Sequence, residues 1–125
     1  MGFRLLLGTV LVWAVIFIVP IVVYGALSTL TGLQPPGDSP LLFLQSTAVS
    51  KLGTAIAFVG IFYLGRDVLG GQWLLYAGLW WLMFVIGEVG QAIVPTYTWQ
   101  EAAAGVISET IYFPLSGLIL YWLVK

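Results

Sequence analysis

The chain has 125 residues, of which 61% are hydrophobic and 7% charged. An ordinary soluble domain carries about 45–50% and 25%, so a water-soluble protein of this size has no means of hiding its apolar surface. Net charge is −1, with four basic residues, no cysteine and no histidine. That excludes a basic nucleic-acid face, disulfides, thiolate chemistry and histidine ligation.

Four stretches reach the roughly 20 apolar residues that a membrane-spanning helix needs. They cover residues 5–26, 41–64, 73–94 and 102–124. Each is continuously apolar and lacks the alternation of a lipid-facing strand. The expected fold is therefore all-α: one transmembrane domain over residues 1–125, a four-helix up-down bundle joined by short links.

The first stretch follows Met-Gly-Phe-Arg and ends near Ala26-Leu27-Ser28, as a signal peptide does. Its apolar run exceeds the usual 7–15 residues or so of such a peptide, so it is expected to stay as a span. The link over residues 28–40 contains Gly32, Pro35, Pro36, Gly37 and Pro40 and reads as a loop. Residues 66–72, with Gly70-Gly71, read as a polar turn, and residues 95–101 as the last link.

Arg4, Arg66 and Lys125 fall on one side of such a bundle, and Asp38 and Glu101 on the other. Basic residues beside span ends mark the cytoplasm, so both termini are expected there, in a plasma or inner membrane. Aromatic belts agree in part, with Tyr63, Trp73, Tyr76, Tyr121 and Trp122 at the inner interface and Tyr24, Tyr97 and Trp99 at the outer one.

Lys51, Glu88 and Glu109 lie inside three different spans. Lys51 is fifteen residues before Arg66, Glu88 fifteen after Trp73 and Glu109 fifteen before Val124. At about 1.5 Å per residue, each sits roughly 22 Å above the cytoplasmic end. Pro20, fifteen residues after Leu5, falls at the same height.

Charges buried in lipid are costly and are expected to face one another. Lys51 is expected to offset one glutamate or bridge both. Two carboxylates against one ammonium leave surplus negative charge, so the pair is expected to carry one proton at neutral pH. Helical spacing adds Thr47 and Thr54 beside Lys51, Gln91 beside Glu88, and Gly105, Tyr112 and Ser116 beside Glu109. Pro20 and Pro114 are expected to kink their helices and to free the carbonyls of Ile16 and Thr110.

Trp13, Trp80 and Trp81 lie near mid-membrane, where they are expected to face lipid or the core. No Gly-x-Ser-x-Gly, His-Glu-x-x-His, P-loop or dinucleotide fingerprint occurs, and the reading leans away from an enzyme. No metal or other cofactor is implied.

Intramembrane ionisable residues mark functional sites by default. The expected function is a proton- or ion-linked transporter or channel component, with Lys51, Glu88, Glu109, Gln91 and Tyr112 binding the ion or proton. The expected partners are the lipid bilayer and further copies of the chain or other membrane subunits. The alternative is a non-catalytic accessory or assembly subunit of a larger membrane complex.

Overall fold

The computed structural model describes residues 2–31 and 40–124, all helix and short turns with no strand among them. Helix α1 is Gly2–Thr31, α2 is Pro40–Leu64, and α3 is a single turn, Arg66–Leu69, continued by a 3₁₀ turn at Gly70–Gln72. Helix α4 is Trp73–Ile93 and α5 is Trp99–Leu123. Four segments are long and apolar enough to cross a membrane.

The helices differ from the expected spans mainly at their ends. Helix α1 runs on through Ser28 to Thr31, and the expected turn at residues 66–72 is itself helical. Helix α5 starts three residues early because the Thr98 hydroxyl accepts the Glu101 amide at 3.0 Å. Thr98-Trp99-Gln100-Glu101 matches the spacing of a capping box, which fixes a helix start. Both expected kink sites, Pro20 and Pro114, lie inside unbroken helices. Pro35, Pro36, Gly37, Asp38 and Lys125 lie outside the described residues.

Helix α5 is the most enclosed element and packs against both α1 and α4. Gly8, early in α1, lies against Leu120, late in α5, and Val124, just past its end. The Tyr24 hydroxyl, late in α1, reaches the Glu101 carbonyl at 3.4 Å, early in α5. Gly117 lets α4 approach closely: a Cβ there would stand 3.1 Å from both the Ala77 Cβ and the Trp73 carbonyl oxygen.

Helix α2 completes the interior through aromatic side chains. Phe58 meets Tyr76, Trp80 and Phe113 with ring centroids 4.9–5.8 Å apart. The Tyr76 hydroxyl donates to the Phe58 carbonyl, joining α4 to α2. Two of the tryptophans, Trp13 and Trp81, tie helices together through their indole N–H groups. Trp13 donates to the Ala48 carbonyl and Trp81 to the Thr110 hydroxyl, both at 2.9 Å. Arg66 folds back on Tyr63, donating to its carbonyl at 2.8 Å with the guanidinium 4.2 Å from the ring centroid.

The outward faces carry large apolar residues, among them Leu6, Val22, Ile56, Leu79, Ile86 and Ile111. Lipid is the solvent in which such faces are stable. It also removes most of the hydrophobic drive between helices and leaves close packing as the cohesive term. Phe113→Ala tests that packing, because Phe113 is wholly buried and touches Phe58, Trp80, Phe84 and Tyr112. The cavity left behind is expected to cost roughly 2 kcal/mol in a reversible detergent-unfolding titration.

Candidate functional site: a charged cavity among four helices

A cavity of about 480 Å³ lies among α1, α2, α4 and α5. Each helix contributes side chains at its own helical spacing. Helix α1 supplies Phe17, Pro20, Ile21, Tyr24 and Ser28, and α2 supplies Phe43, Leu44, Thr47 and Lys51. Helix α4 supplies Glu88, and α5 supplies Glu101, Gly105, Ser108, Glu109 and Tyr112. Tyr97, from the link between α4 and α5, completes the lining.

The three charges expected at one depth thus meet at one cavity, with Pro20 beside them. Their contacts differ from the expectation. Lys51 donates to the Tyr112 hydroxyl at 3.3 Å rather than to a carboxylate. Its ammonium also lies 5.2 Å from the Tyr112 ring and 5.8 Å from the Phe84 ring, within cation–π range. Both glutamates remain within electrostatic reach of it.

Glu88 is held from two sides. The Tyr97 hydroxyl donates to its Oε2. Its carboxylate fits into the gap left by the missing side chain of Gly105, where a Cβ would stand 2.7 Å from Oε2. Burial first, and then the bond to Glu88, push the Tyr97 phenol above its ordinary range. Tyr97 therefore keeps its proton and stays a donor. Tyr97→Phe is expected to lower stability by about 1 kcal/mol in the same unfolding titration, the net worth of one such bond. An unchanged midpoint would mean that the bond contributes nothing.

Glu109 is only 2% exposed, and its Oε1 has no hydrogen-bond partner. Ser116, further along the same face of α5, is fully buried and its hydroxyl also lacks a partner. Ser108 is satisfied within its own helix, donating to the Ala104 carbonyl at 2.8 Å. Among the buried polar side chains of the described residues, Glu109 and Ser116 hold the unsatisfied atoms.

Gln91 requires a correction. It is exposed and does not line the cavity. The place one turn from Glu88 on the inner face belongs to Ala92, which is buried. Helix α4 ends at Ile93, so Gln91 lies in its last turn. Thr54 likewise stays out of the cavity, donating to the Ser50 carbonyl of its own helix at 3.5 Å. Pro114 does not line the cavity either.

Tyr24, Tyr97 and Glu101 were expected only as outer-interface or outer-side residues. For Tyr24 the signal was present: it lies one turn beyond Pro20, so the level that marked Pro20 also marked its face. Tyr97 sits in a link without helical period, and nothing in the sequence joins it to Glu88. Among known proteins, no family model, curated sequence or solved structure matches the chain.

Proposed function

We propose that this is a small integral membrane protein serving as a proton- or ion-linked transporter or channel component, with Lys51, Glu88 and Glu109 as its binding site. One observation carries the reading: ionisable side chains from three helices meet at a single cavity, and Glu109 is held there with an unpartnered oxygen. A structural cluster would satisfy its own polar atoms, because unmade bonds in a buried place are costly. A site that must take up and release a proton or cation leaves them open.

Tyr112 and Ser116 extend the polar face of α5 beyond Glu109, and Ser116 also has an unpartnered hydroxyl. They support a route for the ion that continues along this helix. The aromatic cluster around Phe58 and Phe113 fills the interior beside it, so the reading includes a homo-oligomer or partner subunit that completes the path. The pairing of the start of α1 with the end of α5 supports an up-down-up-down order. Arg4, Arg66 and Lys125 then favour cytoplasmic termini, in a plasma or inner membrane.

The test is flux through purified protein in liposomes. Glu88→Gln and Glu109→Gln are each expected to abolish it while the protein stays folded. Retained flux in both variants would contradict the assignment. A folded wild type that carries no flux and co-purifies with other membrane chains would favour the accessory-subunit reading.

A further inference from the structure

The lining is unusual in charge. Three of the five acidic residues of the chain, Glu88, Glu101 and Glu109, border this one cavity, against one of its four basic residues, Lys51. The surplus is negative, and stays so if one carboxyl holds a proton. Lys51 is turned to the Tyr112 hydroxyl and to aromatic rings, and Oε1 of Glu109 is left without a partner and open to another cation.

Beside the charges and the hydroxyls of Ser28, Thr47 and Ser108, the α1 and α2 walls are largely apolar and aromatic: Phe17, Ile21, Phe43, Leu44 and the ring of Tyr24. A volume of about 480 Å³ falls in the range of small-molecule sites, roughly 300–1,000 Å³. A bare inorganic ion would leave most of that space and all of those rings unused. Among the described residues, no three carboxylates come together as a metal site would need. Aromatic faces beside carboxylates suit a cation whose charge is spread over an apolar body.

Resting on the reading of this cavity as the solute site, we propose that its ligand is a monovalent organic cation with an apolar body. The carboxylates of Glu88 and Glu109 neutralise the charge, and the α1 and α2 side chains enclose the body. The unpartnered Oε1 of Glu109 is the acceptor that such a ligand would complete.

The test uses two probes of nearly equal shape and opposite charge, tetraphenylphosphonium and tetraphenylborate. Each is titrated into wild-type protein in lipid nanodiscs, with empty nanodiscs as blank. The phosphonium is expected to bind saturably, one per site, and at least about tenfold more tightly than the borate, as the sign of the lining charge requires. Glu109→Gln is expected to weaken it about tenfold. Gly105→Ala, which pushes the Glu88 carboxylate aside, is expected to act in the same direction.

Equal binding of the two probes by the wild type, or binding of neither, would overturn the proposal without reference to any variant. Phosphonium binding untouched by both substitutions would also overturn it. Glutamate-dependent proton flux without phosphonium binding would sink this inference and leave the ion-pathway reading standing. Phosphonium binding without flux would do the reverse.

Discussion

Glu109→Met is expected to make the protein about 1–2 kcal/mol more stable and to leave it without activity. The side chain is 2% exposed and one carboxyl oxygen has no partner. A second carboxyl, that of Glu88, stands close enough to share a hydrogen bond with it and to act as a second negative charge. The unpartnered oxygen and the second charge cost stability, and methionine fills nearly the same volume without either. Lys51 keeps its bond to Tyr112 and retains Glu88 as counter-charge. If the glutamate were structural glue, its loss would destabilise the bundle instead. Reversible unfolding in mixed micelles, beside a flux assay on the same preparation, separates these outcomes. A clear loss of stability with activity retained would contradict the functional reading of Glu109.

Gly117→Leu is expected to have the largest effect on folding, a loss of at least about 3 kcal/mol, and to part α4 from α5. Even a methyl at this position would lie 3.1 Å from the Trp73 carbonyl oxygen and 3.2 Å from its Cε3. A backbone carbonyl inside a helix has nowhere to go, so the whole seam must open. In lipid, close packing is the main term holding the helices together, and little else compensates. Far-ultraviolet circular dichroism with a detergent titration reads the result. A midpoint within error of wild type would show that the two helices are not in contact at Gly117.

Gly105→Ala makes the instructive contrast. The obstruction there is the end of the Glu88 side chain, which can swing away. A methyl at this position is expected to spare the fold and disturb the site.

The spans could be read from sequence because lipid demands an uninterrupted apolar run, and such a run has few other uses. The meeting of the three charges at one cavity follows from their spacing. A helix rises by a fixed amount per residue, so equal spacings to Arg66, Trp73 and Val124 put Lys51, Glu88 and Glu109 at one level.

Rotation was harder. Gln91 and Ala92 are both one turn from Glu88, and sequence spacing does not choose between them. The folded chain buries Ala92 and leaves Gln91 exposed. The position of Lys51 was legible, but its partner was not. Coulomb attraction pointed to a carboxylate, whereas packing brings the Tyr112 hydroxyl and two rings to the ammonium. Tyr97 was invisible for a different reason: it reaches Glu88 from a link whose path only the folded chain defines.

Proton flux decides whether the charged cavity conducts an ion or proton. Wild-type protein and Glu109→Gln are placed in liposomes holding a pH-sensitive dye, and a potassium-diffusion potential is imposed. Flux is expected in the wild type and none above the protein-free rate in the variant, at equal protein content and equal fold. Equal flux in the two proteins, or none in a well-folded wild type, would contradict it.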